Sequence, residues 1–467
     1  MGTARKELMF RSRNADEFTF GKDDFLGGEL TWSLDRLPLG ICITGGTGSG
    51  KTNRIFLPLF EELLDLRLSQ NEESQWGGVF IDPKLSFARR LVELIHRAGM
   101  EDELHILSEN QSVTINPLLS GLNGQKIAEM LVKSLLAGKP VSVGSGAAYY
   151  ESRALALLGH VVTVAQLASR PSLRVVSEMV DALTLGGTLD SSDPRAAEAL
   201  KRIEVFAQGE ERERKMVLDS IQNYLEPFRC DPWRAIFFEH GPFTLDVVRD
   251  EGKIVVAAFS PNKVNNLSSG LFLLKMLWYA TVMDRLSSGF RGNTERLCLF
   301  CIDEFQQIAS GSSDADFLAV RREAKGCPVF AFQQISQLKT VIPHEWENVL
   351  GLLNTKIFLR QSDVDTAVYA EKLGGYVEEN MDAVTKTPDS TNLFYSESSR
   401  TTTRQLHPRI PAEYFLSLPD GDGIIVNDQR HMAWFPAHGM SQEQEINWRQ
   451  KRWPDRARLV HPRDFRQ

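Results

Sequence analysis

The chain has 467 residues, 42% of them hydrophobic, and a formal net charge of -8 at pH 7. That length leaves room for two or three folding units, and the ordinary composition excludes a fibrous or wholly disordered chain. The acidity excludes a protein that coats nucleic acid with its entire surface, but not one that presents positive charge along a channel.

Five cysteines, an odd number in a long chain without a signal peptide, read as reduced thiols in a cytosolic compartment. No stretch reaches the roughly 18 uninterrupted apolar residues of a membrane span. The apolar runs at 155–168 and 271–283 contain His160, Gln166 and Lys275 and read as buried helices. Near the amino terminus, Arg5, Lys6, Glu7, Arg11 and Arg13 are followed by no apolar region, so the expected extension over 1–35 is neither a secretory signal nor an anchor.

The first element with chemical content is Gly45-Gly46-Thr47-Gly48-Ser49-Gly50-Lys51-Thr52, which satisfies G-x-x-x-x-G-K-[ST]. It follows the apolar run Ile41-Cys42-Ile43 and precedes a helical pattern over 53–68. A strand delivers such a loop to a sheet edge, glycines let backbone N–H groups close around phosphate oxygens, and the helix turns its positive end toward them. In that arrangement Lys51 neutralises the β- and γ-phosphates of ATP and Thr52 ligates Mg²⁺.

Val79-Phe80-Ile81-Asp82 reads as a buried strand stopped by Pro83, followed by a helix with Phe87, Leu91, Leu94 and Ile95 on one face. A further strand is expected at 103–107, before Thr114-Ile115-Asn116-Pro117-Leu118. Strands alternating with helices mean a parallel sheet with helices on its faces. From 119 the pattern becomes helical only: Ile127, Met130, Leu131 and Leu135 recur at helical spacing, as do Leu173, Val176, Val180 and Leu183. Asp193-Pro194 is a helix start, and Pro232-Trp233 and Gly241-Pro242 close the block. Strands are then expected at 253–259, 297–302, 327–332, 356–359 and 423–426, with a long helix around 271–286. The nucleotide-binding domain is thus expected in two parts, 36–118 and 236–440, around an all-α insertion at 119–235. A tail at 441–467 carries Arg449, Lys451, Arg452, Arg456, Arg458, Arg463 and Arg466 against Asp455 and Asp464, and reads as a solvated end or a DNA contact.

The second half of a nucleotide site needs a carboxylate at the end of a neighbouring strand and a base for the attacking water. Asp303-Glu304, after the run 297–302, supplies both: Asp303 for the metal shell and Glu304 for the water. Asp82 competes for the first role and otherwise reads as lining the nucleotide or subunit edge, or as a structural turn before Pro83. Cys298 and Cys301 have half the spacing of a zinc site, but they sit inside an apolar strand and read as core. Gln333 and Gln334 follow the strand at 327–332, where an amide can sense a γ-phosphate. Arg321 and Arg322 precede that strand, and either guanidinium can serve a neighbouring subunit's γ-phosphate or be a solvated charge. Lys84, Arg89 and Arg90 are the nearest basic candidates for a substrate channel, with solvated helix charges as the alternative.

This ordered set resembles the coupling-protein ATPases of type IV secretion and conjugation, of the TraG and TraD kind, which belong with the FtsK- and HerA-like DNA translocases. The resemblance rests on the glycine-rich loop, Asp82-Pro83-Lys84, Asn116-Pro117, Asp303-Glu304-Phe305 and Gln333 five residues before Leu338. It continues through Asp365-Thr366-Ala367, Leu373-Gly374-Gly375, Leu406-His407-Pro408 and Leu418-Pro419. It implies an α/β fold, a RecA-like P-loop ATPase domain with an inserted all-α domain, assembled as a hexamer with ATP and Mg²⁺ between subunits. Gln333 matches the family's sensing glutamine, and Arg322 best matches its trans-acting arginine. Implied partners are DNA, further copies of the chain, and relaxase, effector or secretion-channel proteins, with recognition linked to the helical insertion. Family members usually carry membrane helices ahead of the loop, whereas about 40 residues precede it here. The expectation is a naturally soluble member or a chain whose anchor has been removed, cytoplasmic or peripheral to the inner membrane through partners. The implied function is an ATP-driven motor moving DNA, nucleoprotein or effector toward a channel. Alternatives are a docking receptor whose assembly is controlled by nucleotide, and a soluble translocase in repair or defence.

Overall fold

The eight apolar runs that read as strands pair, together with one further strand at Met432–Phe435, into one nine-stranded sheet. The computed structural model describes residues 12–14, 17–23, 28–69, 75–85, 87–110, 113–137, 147–388, 396–427 and 432–435. A small antiparallel sheet of β1 (Ser12–Asn14), β2 (Glu17–Asp23) and β3 (Gly28–Ser33) precedes the large one. The large sheet is built from β4 (Ile41–Thr44), β5 (Gly77–Asp82), β6 (Leu104–Leu107), β7 (Ile254–Ala258), β8 (Cys298–Ile302), β9 (Gly326–Phe332) and β10 (Thr355–Leu359). Between β10 and its last strands the chain makes a separate hairpin, β11 (Tyr376–Pro388) with β12 (Ser396–Pro408). The sheet then ends with β13 (Gly423–Val426) and β14 (Met432–Phe435). Its order is β14-β13-β10-β4-β9-β8-β5-β7-β6, parallel from β10 to β6, with β13 and β14 antiparallel at one edge.

Because successive side chains in a strand point to opposite faces, each central strand feeds two cores. On one face Ile43, Phe80, Val256, Leu299 and Val329 pack with Phe60, Leu63 and Leu91 of α1 (Leu57–Ser69) and α2 (Ala88–Arg97). On the other, Val79, Ile81, Val255, Phe300 and Phe330 join a core that runs without a break into the helical block. That block comprises α3 (Gly124–Leu136), α4 (Ala147–Gln166), α5 (Leu173–Thr184), α6 (Ala197–Ala207) and α7 (Glu211–Arg229), followed by the short α8 (Asp246–Asp250). Its bridge to the sheet is α9 (Leu267–Met283), which is buried nearly all round and whose buried residues are apolar on every side, Ser269, Lys275 and Thr281 excepted. Side-chain caps start α3 and α5, with Asn123 accepting from the Lys126 N–H and Ser172 from the Val175 N–H. At the entrance to the block, buried Asn116 donates to the carbonyls of Pro171 (2.8 Å) and Gly241 (3.3 Å) and accepts from the Leu118 N–H (3.1 Å). One side chain thereby ties the incoming chain to the interior of the block and to the outgoing chain.

The remaining helices are α10 (Ser312–Val320), α11 (Ile335–Val341), α12 (Trp346–Leu352), α13 (Val364–Gly374) and α14 (Ala412–Ser417). Residues 441–467, including the basic tail, lie outside the described residues. Cys298 and Cys301 are free, buried core residues of β8, and burial pushes the Cys298 thiol up to about 11. Among the described residues no helix is long and apolar enough to cross a membrane.

Candidate nucleotide site

The parallel strands all end on the same edge, so the loops that follow β4, β5, β8, β9 and β10 lie side by side there. After β4 comes the glycine-rich loop, with Gly48 and Gly50 in the left-handed region (φ 78° and 103°), where a side chain would strain the backbone. The loop leads into a helix whose first turns, Lys51–Phe56, are wide before α1 tightens. Neighbouring loops hold it in place: the Gly46 N–H donates to the Arg360 carbonyl (2.8 Å) and the Gly421 N–H to the Ser49 carbonyl (3.0 Å). Lys51 is buried, and its ammonium donates to the Gly45 carbonyl at 2.6 Å and the Gly46 carbonyl at 3.4 Å. Burial pushes its pKa down, Asp303 and Glu304 act against that, and Lys84 adds to it.

Asp303 and Glu304 follow β8, two strands from β4, and both are buried. Asp303 accepts the Glu304 N–H at 3.0 Å, and Glu304 itself is left-handed (φ 58°), an uncommon conformation for a residue with a side chain. Its carboxylate is heavily engaged. Oε1 takes the Lys84 ammonium at 2.7 Å and the Gln333 amide at 2.9 Å, and Oε2 takes the Gln306 amide at 2.6 Å. Burial pushes the Glu304 carboxyl up, but these three donors outweigh it and hold the pKa below the ordinary value. Gln333, at the end of β9 between β4 and β8, also lies within 3.5 Å of the Thr47 hydroxyl. Its amide thus spans from the glycine-rich loop to Glu304.

The residues present fit a metal-bound polyphosphate. Among the described residues, Ser49 Oγ is buried without a hydrogen-bond partner and a Cβ added at Gly48 would meet nothing within 4 Å, so the loop mouth has room. A buried ammonium on neutral carbonyls is suited to an anion, and Thr52 and Asp303 are oxygen donors of the kind Mg²⁺ takes.

Residues 297–420, which include Asp303, Glu304, Arg322 and Gln333, match the family model described as the TraM recognition site of TraD and TraG. The bacterial conjugative coupling protein TrwB in its unbound form superposes with a TM-score of 0.64 at 18% identity, over 93% of this chain and 90% of that one. This chain has the coupling-protein fold. TrwB with the non-hydrolysable ATP analogue ADPNP matches at a TM-score of 0.60, 16% identity and 93% and 91% coverage. TrwB with ADP and Mg²⁺ matches at 0.59, 17% identity and 88% of each chain. No curated protein matches in sequence. The resemblance to coupling-protein ATPases read from the motifs therefore holds, as does the fold it implied, a RecA-like P-loop domain with an inserted all-α domain.

Within the coupling-protein fold the other motif residues separate. Asp82 is wholly buried and accepts from the N–H groups of Lys84 (3.2 Å), Phe87 (2.7 Å) and Ala88 (2.8 Å), so it caps the turn and the start of α2 rather than lining the nucleotide edge. Arg321 and Arg322 are not equivalent. Arg321 is buried, and its guanidinium donates to the carbonyls of Leu39 (2.7 Å), Leu318 and Leu352, burial pushing its pKa down to about 10; it is a structural brace. Arg322 is exposed. Both stand where β9 begins, at the sheet end opposite this chain's own glycine-rich loop. Gln334 turns to the Ser362 hydroxyl (3.0 Å), and Arg90 to Asn53 (2.8 Å). Lys84, read from sequence as a channel charge or a solvated one, is instead a partner of Glu304.

Proposed function

We propose that the chain is an ATP-hydrolysing motor that binds DNA and moves it, or a nucleoprotein or effector substrate, toward a conjugation or secretion channel. The observation that carries this reading is the convergence of Lys51, Asp303 and Glu304 on one sheet edge, with Gln333 reaching both the loop and the carboxylate. In this reading the loop 45–52 holds the triphosphate, Lys51 leaves its carbonyls for the β- and γ-phosphates, and Glu304 orients water for in-line attack. Thr52 and Asp303 hold Mg²⁺, which when bound neutralises phosphate charge. Gln333 links the state of the γ-phosphate to Glu304. Arg322, exposed and far from its own loop, serves a neighbouring copy in a hexamer. TrwB, of like fold, is known with an ATP analogue and with ADP and Mg²⁺, which supports the choice of nucleotide.

A docking role has its own support in the match to a TraM recognition model. That match lies on 297–420, in the second part of the nucleotide-binding domain, whereas the motif-based expectation put recognition on the helical insertion at 119–235. We place recognition of a relaxosome protein on the former segment. Phosphate release from ATP, with and without DNA, tests the motor: DNA stimulates it, and Lys51→Ala and Glu304→Gln lower it by orders of magnitude. Turnover that DNA leaves unchanged in an assembled oligomer would favour the docking reading.

A further inference from the structure

Three donors occupy the Glu304 carboxylate, and they are not alike. Gln333 and Gln306 are half-buried and short-stemmed, one at the end of β9 and the other in the turn after β8. Lys84 belongs to the surface turn after β5, its side chain 41% exposed while that of Glu304 is 5% exposed. Its long stem allows the ammonium to change partners without disturbing either core. It is also close enough to the Lys51 ammonium to act against its charge, so two cations share this pocket with two carboxylates. A triphosphate in the loop brings several negative charges beside Lys84, and an ammonium half in solvent follows the stronger anion. A carboxylate with an ammonium on Oε1 has, in turn, only part of its acceptor capacity left for water.

We propose that Lys84 is a positioning residue that acts as a phosphate-responsive latch: it pairs with Glu304 before nucleotide binds, and moves to the terminal phosphate of a bound nucleoside triphosphate, leaving Glu304 Oε1 with the Gln333 amide and one acceptor position open to water. This rests on the reading of Glu304 as the residue that orients water. It makes Lys84 a discriminator of triphosphate from diphosphate, because only the triphosphate carries the group to which the ammonium transfers.

The test is the affinity of the whole 467-residue chain for ADPNP and for ADP, measured by calorimetry for wild type, Lys84→Met and Lys84→Arg, beside steady-state kinetics. The latch predicts that Lys84→Met weakens ADPNP about tenfold, the scale of one charge-assisted hydrogen bond, and ADP by less than about twofold. The rise in KM for ATP should then exceed any change in kcat, and Lys84→Arg should restore the preference for ADPNP. Equal weakening of both nucleotides, or a fall in kcat with ADPNP affinity intact, would overturn the latch and leave Lys84 a fixed brace. If Lys84→Met does not fold, Lys84→Gln carries the same test. Full turnover in Glu304→Gln would remove the underlying reading of Glu304, and it is scored separately from the binding preference.

Discussion

Glu304 and Asp314 stand ten residues apart, and each is bonded to a lysine, but in opposite settings. Lys275 and Asp314 meet at 2.6 Å with neither side chain exposed, whereas Lys84 meets Glu304 at 2.7 Å with the lysine partly in solvent. Asp314 also accepts the Tyr279 hydroxyl (3.1 Å) and the Ser310 N–H (2.7 Å), and Lys275 also donates to the Ser310 hydroxyl (3.2 Å) and the Ile308 carbonyl. Burial pushes the Lys275 pKa down and Asp314 resists it. The sealed pair ties α9 and α10 to the segment that follows Glu304. The open pair ties Glu304 to a side chain able to leave. A charge sealed on every side anchors structure, and a charge with one face in water can take part in a cycle.

The largest effect expected is on turnover. Glu304→Gln should lower ATP hydrolysis by about 10²–10⁴-fold, the usual contribution of a positioned base, as read by phosphate release, with the fold retained by circular dichroism. Asp314→Leu should instead act on stability. Leaving Lys275 buried without its partner costs about 3–5 kcal/mol in urea denaturation, and the double variant Lys275→Met/Asp314→Leu should recover much of it. If the single variant is as stable as wild type, the sealed pair is no anchor and the contrast with Glu304 fails.

Smaller effects grade the rest of the scaffold. Asn116→Ala leaves the carbonyls of Pro171 and Gly241 and the Leu118 N–H without that side chain, and should cost about 1–3 kcal/mol by the same measurement. Asn123→Ala removes the cap of α3 and should cost about 1 kcal/mol. Lys84→Met should change stability least, by less than about 1 kcal/mol, since its pair is partly solvated. A cost like that of Asp314→Leu would mean that the two pairs do the same work.

Much of this was legible in the residues themselves. The apolar runs ending at Thr44, Ile302 and Phe332 are strands because they are buried on both faces, and each delivers the motif that follows it to the same edge. The helical block showed in its spacing. The Lys84–Glu304 pair did not, because β5 and β8 become neighbours only when the sheet forms, and nothing local to Asp82-Pro83-Lys84 names a partner 220 residues away. Arg321 was equally opaque: beside the Asn354 side-chain oxygen its partners are the main-chain carbonyls of Leu39, Leu318 and Leu352, which no side-chain pattern records. The β11–β12 hairpin was missed for another reason, since its strands are rich in threonine, serine and charge and show no apolar alternation.

The site proposed here uses Lys51 and Glu304 of one copy and Arg322 of the next, so its activity should depend on assembly. The most direct measurement is the specific ATPase rate over a range of protein concentrations, with and without DNA, for wild type and Glu304→Gln. The expected result is a steep rise with concentration, a further rise with DNA, and turnover in the variant lower by about 10²–10⁴-fold. A specific rate that stays flat with concentration and indifferent to DNA would contradict a motor assembled from neighbouring copies.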